Sequence, residues 1–341
     1  MNLELITYLK KQSQFTPVAA LEEQLKLDRD QVFTDVEEAI EEGYSIEFHP
    51  YLGFKLIDIP DRFLKHEIRD DLNTKHVGRK LKIRDQVTST NETAWDLLES
   101  TPDLRDGTVV IAESQTRGRG RMGREWHSAP GAGLWLSVIL KCSVPPDKVA
   151  FLTSGAALAV ANMLQQFVHL PAEIKWPNDV MIRGRKVCGI LVEARSNQPN
   201  VFVLGLGMNI NQARTDFPEA LRETATSLRL ERPGARPLNR VRVLRPLLFY
   251  LERVYTQIKK KKWERLADAW SEFVHMGGKH VSLRQGGEEF KGTVVRIHPS
   301  DGITLKLENS DEQKTFSSES VTNVRELPIE TTAEEHEEIE P

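Results

Sequence analysis

The residues best equipped for chemistry lie in one stretch, Thr116-Arg117-Gly118-Arg119-Gly120-Arg121-Met122-Gly123-Arg124-Glu125-Trp126. Four arginines sit there on a backbone loosened by three glycines. Glycine lets a backbone approach a phosphate closely and take positive φ, and each guanidinium offers a planar fork that matches phosphate or carboxylate oxygens. The chemistry is anion capture by a mobile clamp. Arg-Gly segments also serve as disordered RNA-binding tracts, so the loop alone fits a small anion and an RNA equally well.

The elements that must position the clamp favour the small anion. Residues 108–113 read as a buried strand leading in, and Leu134, Leu136, Val138 and Leu140 alternate on a strand leading out. A loop held between two strands is an ordered site with a lid, unlike a tail. Further along come Lys175-Trp176-Pro177-Asn178-Asp179, a hairpin-like turn at Arg183-Gly184-Arg185, and the apolar strand that runs from Lys186 to Glu193. Upstream, Ser89-Thr90-Asn91 is placed to cap a helix over 92–99.

This set resembles the biotin protein ligases, specifically the group that carries an N-terminal winged helix and can double as the biotin operon repressor. The carrying residues are Ser89-Thr90-Asn91, Gln115 with the Gly118–Arg124 loop, Lys175–Asp179, Arg185–Glu193 and Gly205-Leu206-Gly207-Met208-Asn209-Ile210-Asn211. Order and spacing agree over roughly residues 85–230. The resemblance implies an α+β chain: a winged helix-turn-helix over 1–62, a mixed α/β biotin/lipoate ligase-like catalytic domain over 81–270, and an SH3-like β-barrel over 271–326, while the polar, charged stretch over 63–80 reads as a partly helical linker. An acidic disordered tail over 327–341 would follow.

The implied reaction joins the carboxylate of biotin to the α-phosphate of ATP, giving biotinyl-5′-AMP and pyrophosphate. A lysine of a biotin carboxyl carrier protein domain then attacks, as in acetyl-CoA carboxylase. Two like unit charges about 4 Å apart repel by roughly 4 kcal/mol at an effective dielectric of about 20, so cations must cancel that cost. The resemblance assigns Lys186 as the fixed cation, with Arg119 and Arg121 as mobile ones and Arg124 in support. Loop closure would shield the mixed anhydride from water. Biotin's ureido group needs matched partners, since an unsatisfied buried polar atom costs about 1–3 kcal/mol. Ser89, Thr90, Asn91 and Gln115 fit that need, although Asn91 could instead cap the helix.

Arg119, Gly120, Arg121, Lys186 and Gly189 complete the implied biotin site, and Gly189 and Gly207 leave room for close ligand approach. For ATP the resemblance implies Arg119, Arg121, Arg124, Trp126, Lys175, Asn178, Asn209 and Asn211. Trp126 covers adenine or is a plain core tryptophan. Lys175 would help the triphosphate, while Asp179 either binds Mg²⁺ or helps deprotonate the acceptor lysine. Thr226-Ser227 is structural or lies at the nucleotide's edge. Met122 and Glu125 stand where relatives often carry further bases, which makes the far end of the clamp less cationic.

The 341-residue chain has a formal net charge of −4, but the charge is unevenly spread. Residues 1–60 hold 5 Lys/Arg against 12 Asp/Glu, residues 326–341 hold 7 acids and no Lys/Arg, and the middle holds 41 bases against 31 acids. Anion binding belongs to the middle. Two cysteines, Cys142 and Cys188, are too few for a disulfide framework and lack metal spacing. With no apolar leader and no run of about eighteen apolar residues, the expected location is cytoplasmic, with no membrane partner.

Apolar positions at helical spacing (Leu3, Ile6, Leu9; Leu21, Leu25; Val32, Val36, Ile40) predict three short helices, and residues 44–59 a two-stranded wing. Longer helices are expected over 148–167 and 238–259, and four short strands over 279–283, 290–298, 303–307 and 313–316. The third helix, residues 30–42, contains no Lys or Arg, and Arg29 stands alone before it. Carboxylates repel a polyanion, so the helix reads as degenerate for DNA and suited to packing, dimerisation or a protein partner, while the resemblance pulls toward an operator. Two alternatives stay open: a biotin-sensing repressor without ligase activity, and a lipoate protein ligase, whose usual arginine-serine-glycine-rich loop is absent here. A homodimer built edge to edge is a further implication of the resemblance.

Overall fold

The computed structural model describes residues 2–101, 103–308, 310 and 312–327, so the expected acidic tail lies outside the described residues apart from Leu327. The chain divides into two units: residues 1–72 with 237–245, and residues 73–236 with 246–341.

The first unit opens with helices α1 (Leu3–Lys10), α2 (Val18–Leu25) and α3 (Arg29–Glu41), followed by the antiparallel hairpin β1 (Ser45–His49) and β2 (Gly53–Asp58). Local chemistry sets the helix starts. Asn2 accepts from the amides of Glu4 and Leu5, and Asp28 and Gln31 form a reciprocal capping box at α3. Leu5, Leu9, Leu21, Val32, Val36 and Phe54 close one core. Gly53 is required by geometry, because at φ +92° a Cβ would lie 1.9 Å from the Thr16 carbonyl oxygen, where Thr16 pairs with Phe54.

The stretch expected as a linker is packed. Helix α4 (Lys65–Arg69) follows the hairpin, Phe63, Ile68, Leu72 and Val77 are buried, and Glu67 is wholly enclosed. The Glu67 carboxylate receives Lys10 Nζ at 2.6 and 2.7 Å, Arg245 at 3.0 Å and the Tyr44 hydroxyl at 2.5 Å. A buried carboxylate persists only with such partners. Reading the stretch by its charge missed that its charges are paired inside.

The second unit is built on a seven-stranded sheet: β3 (Leu81–Val87), β4 (Thr108–Gln115), β5 (Gly133–Lys141), β6 (Glu173–Lys175), β7 (Asp179–Ile182), β8 (Arg185–Arg195) and β9 (Gln198–Asn209). Their spatial order is β3-β4-β5-β9-β8-β7-β6, antiparallel throughout except for the parallel pair β3–β4. Helix α5 (Thr90–Ser100) covers one face, where Ala94, Trp95 and Leu98 meet Val110, Ile139 and Val203. On the other face Val138, Leu140 and Leu204 meet Leu152 and Ala156 of α6 (Ala150–Met163) and Leu251 of the 240–259 helix. β5 is therefore apolar on both sides, beyond the single face its alternation predicted.

The helical stretch Pro146–Val168 does reach the length and apolarity for crossing a bilayer, contrary to the expectation that none would. Most of it is buried within the protein, as befits a core helix. Short α7 (Leu228–Glu231), long α8 (Arg240–Lys259) and α9 (Trp263–Ser271) follow. The last segment is a five-stranded antiparallel sheet in the order β13-β12-β11-β10-β14, formed by β10 (His280–Gln285), β11 (Glu288–His298), β12 (Gly302–Leu307), β13 (Gln313–Phe316) and β14 (Val321–Glu326). Four of these strands were expected. β14 was missed; in the fold it buries Val321 and Val324.

Candidate active site

Of the sixteen residues expected to carry catalysis or to bind biotin and ATP, all but Asn211 line one cleft of about 400 Å³ in the second unit. Asn211 does not line it; its backbone amide bonds to Ala132 at 2.7 Å, and its carbonyl accepts from Arg229 at 3.4 Å. Asn209 lines the cleft but uses its amide within the protein. Its Nδ2 donates to Thr226 O at 3.0 Å, and its Oδ1 accepts from Gln212 at 3.0 Å, which organises the loop after β9.

Lys186 is the second residue of β8, just past a tight turn in which Arg183 and Gly184 both take positive φ, the conformation of a two-residue hairpin. Its backbone is pinned from the far side: Lys186 N donates to Thr224 O at 2.8 Å, and Thr226 N donates to Lys186 O at 2.9 Å. Glu231, its side chain 1% exposed, ties the turn down through Arg183 and Arg185, both at 2.7 Å, and Thr226 at 2.6 Å. Burial alone would raise the Glu231 pKa; the bonds from Thr226 and Arg183 and the charges of both arginines outweigh it and hold the group below the ordinary carboxylate range. Thr226 and Ser227 are fully buried, and Ser227 caps α7, so their role here is structural.

The Lys186 ammonium points to Asp179 Oδ1 at 2.6 Å, an ionic contact without the alignment of a hydrogen bond, and lies 5.2 Å from the Trp126 ring centre. Asp179 is therefore occupied by a protein cation. Among the described residues no group of three His, Cys, Asp or Glu side chains converges. Lys175 is exposed at the end of edge strand β6, and the Trp176–Pro177 peptide that turns the chain toward Asn178 is cis.

The arginine loop lies across this wall. Arg121 donates to Asn178 Oδ1 at 3.3 Å and to the Ser318 carbonyl, and burial draws its guanidinium below its ordinary range while Asp179 opposes that. Arg119 rests between Glu193 at 3.1 Å and Glu92 at 3.7 Å. Trp126 lies directly on the sheet: a Cβ at Gly207 would sit 2.4 Å from its Nε1, and one at Gly189 2.8 Å from its Cζ3. The room those two glycines were expected to leave for a ligand is filled by the indole, so they seat Trp126. Its Nε1 is buried without a partner.

At the other end, the first turn of α5 meets β4 and β5. Ser89 occupies the N-cap position but makes no side-chain cap bond, and Asn91 lies inside the helix, so neither caps it through its side chain. Instead Thr90 N donates to Gln115 Oε1 at 2.8 Å, and Gln115 Nε2 donates to Ser128 Oγ at 2.8 Å. Ser128 and Ser137 escaped the sequence reading, Glu193 was read only as the end of a strand, and the cleft residues Thr322 and Arg325, which β14 supplies from the last sheet, were missed as well. Nothing local in sequence marks a strand over two hundred positions away as part of this wall. Cys188 is fully buried, and burial pushes its thiol up, as suits a small core residue.

Residues 83–211 match the Biotin/lipoate A/B protein ligase family. Over 309 residues, 90% of this chain and 94% of that protein, the chain is 32% identical to the bifunctional ligase/repressor BirA of Bacillus subtilis. It is 37% identical to the biotin–[acetyl-CoA-carboxylase] ligase of Mycobacterium tuberculosis over 71% of this chain and 90% of that protein. The solved biotin protein ligase from Aquifex aeolicus in complex with biotin and ATP is similar at a TM-score of 0.60 and 26% identity, covering 73% of this chain and 100% of that one. Likeness along nine-tenths of the chain, joined to a cleft that gathers its arginines, Lys186 and a polar pocket, shows that this chain belongs to the biotin/lipoate A/B protein ligase family, among its biotin protein ligases.

Proposed function

We propose that the chain is a biotin-[acetyl-CoA-carboxylase] ligase that makes biotinyl-5′-AMP from biotin and MgATP and passes the biotinyl group to a carrier-domain lysine. The observation that carries this is the position of Lys186: a fixed cation, held by its backbone, between the arginine loop and a pocket of matched donors and acceptors. Biotin's ureido group enters the pocket of Ser89, Thr90, Asn91 and Gln115. Its carboxylate then reaches Lys186 with the α-phosphate, and the two anions displace Asp179 from the ammonium. Lys186 balances the charge that develops as the carboxylate oxygen attacks phosphorus and pyrophosphate leaves. Arg119 and Arg121 close over the product, Arg124, Asn178 and Lys175 serve the nucleotide's phosphates, and Mg²⁺ arrives with ATP as part of the substrate. Asp179, released from Lys186, is placed to take a proton from the acceptor lysine.

The test is to incubate the chain, biotin, MgATP and a biotin carboxyl carrier domain and follow the mass of the carrier. A gain of one biotinyl group is expected. Lipoate supplied in place of biotin should leave the carrier unmodified, and transfer of lipoate would overturn the assignment.

In this reading the first unit is a winged helix, the last sheet an SH3-like barrel, and the enzyme works in the cytoplasm. A regulatory second role rests on the three-helix and hairpin arrangement and on the ligase/repressor named in Bacillus subtilis, which the chain matches nearly end to end. Charge opposes it, since Arg29 is the only base in α3 and already lies 5.4 Å from the Phe33 ring centre. Gel-shift titration on the chain's own biotin-gene promoter, with biotin and MgATP, decides between them: saturable sequence-specific binding establishes the repressor, and its absence leaves the unit a packing or partner module.

A further inference from the structure

Strand β14 gives the cleft part of its wall and is followed directly by the most acidic stretch of the chain. Among the described residues six Lys or Arg line the cleft, Arg325 of β14 joining the five already placed there, against two acids, Glu125 and Asp179. The cleft therefore carries a standing excess of positive charge, which attracts any anion held nearby. The last sheet already reaches it with negative groups. Arg121 donates to the Ser318 carbonyl, and the charge of Glu319, like that of Asp179, opposes the effect of burial on that guanidinium.

Past β14, residues 328–341 hold Glu330, Glu334, Glu335, Glu337, Glu338 and Glu340 and no Lys or Arg. Covalent geometry bounds where these carboxylates can go. At no more than about 3.6 Å per residue, Glu330 stays within about 18 Å of the Arg325 backbone and Glu340 within about 54 Å, so every base of the cleft is in range. Carboxylate and phosphate oxygens fit the same guanidinium fork. A tethered anion meets such a site at an effective concentration on the order of millimolar, enough for a weak contact to compete with a free ligand.

We propose that the glutamates of residues 328–341 act as an internal competitor for the nucleotide, pairing with the cleft's arginines and lysines until the phosphates of MgATP displace them. The inference rests on the ligase reading above and adds to it a restraint on nucleotide binding that depends on ionic strength.

The experiment compares the full chain, a chain ending at Leu327, and a full-length chain in which the six glutamates are changed to glutamine (Glu330→Gln and the five like it), with thermal unfolding as a check on folding. Adenylation is followed by pyrophosphate release with biotin and MgATP. At low ionic strength both altered proteins should show a KM for MgATP about three- to tenfold below that of the full chain, with kcat unchanged. The gap should close as added salt shortens the screening length from about 10 Å at 0.1 M to about 3 Å at 1 M. Equal KM values at low salt would overturn the proposal. So would a gap that appears on truncation but not with glutamine, or one that salt leaves unchanged, since either would make the effect one of bulk and not of charge. Calorimetric binding of inorganic tripolyphosphate to the same three proteins keeps the inference separate from the reaction. If the full chain releases no pyrophosphate, the ligase reading falls; tighter tripolyphosphate binding on loss of the glutamate charges still supports the competitor, and unchanged binding overturns it.

Discussion

The two sides of the cleft are built on opposite principles. On the sheet side every functional group is held from behind: Lys186 by paired backbone bonds, its turn by Glu231, and Thr90 and Asn91 by Gln115 and Ser137. On the loop side the arginines rest on exposed or shared partners, Arg119 on Glu193 and Glu92, Arg121 on Asn178 and a carbonyl. In the proposed reaction the difference separates two tasks. Charge stabilisation during bond making needs a group that does not reorganise, whereas retention of a reactive product needs groups that can leave and return.

The largest expected effect comes from the fixed side. Lys186→Gln should fold normally and lower adenylate formation by about 10²–10³, the usual consequence of removing one preorganised charge-stabilising donor. Pyrophosphate release at near wild-type rate from the folded variant would show that the loop arginines supply the charge instead.

Glu231→Gln probes the support rather than the charge. Its side chain is almost fully enclosed and meets both Arg183 and Arg185, so loss of its charge should destabilise the second unit by about 1–3 kcal/mol, read by denaturant unfolding. Because its folded pKa lies below the ordinary value, the stabilisation is present above the ordinary carboxylate pKa and is lost as pH falls through the lowered one. The wild-type and variant stabilities should therefore converge in acid. A constant gap across pH would mean that shape, not charge, is what Glu231 contributes.

Much of the fixed side could be read in the sequence because its signals are local. The Arg183-Gly184 turn, the strand that carries Lys186 and the helix after Ser89 each follow from a few adjacent residues. What escaped is what only the fold assembles. Ser137 looked like an unremarked serine in an apolar strand, Gly189 and Gly207 invited a ligand until the Trp126 indole was found lying on them, and β14 joined the cleft from the far end of the chain. Glu67 misled for a related reason, since a charged stretch reads as solvated unless its partners, here Lys10 and Arg245, are known in advance.

On the loop side, Arg121→Gly should reduce adenylation only modestly and speed loss of the adenylate about tenfold, as expected for removal of one charge-assisted contact. Reactive biotinyl-5′-AMP would then label bystander lysines. Quench-flow with added carrier-free protein measures both rates, and undiminished retention would remove Arg121 from the clamp.

The smallest effect belongs to Glu193, which holds Arg119 at 3.1 Å and also accepts from Trp95 Nε1 at 3.1 Å. Arg119 is exposed, and such ion pairs contribute about 0–1 kcal/mol. Glu193 and an incoming phosphate compete for the same guanidinium. Glu193→Gln should therefore lower the KM for MgATP by about two- to fivefold while leaving kcat unchanged. The direction matters more than the size: a fall in KM shows Glu193 acting as a resting partner that the substrate must displace. A rise would instead make it part of the closed state, and Arg119 would then belong with the fixed side of the cleft.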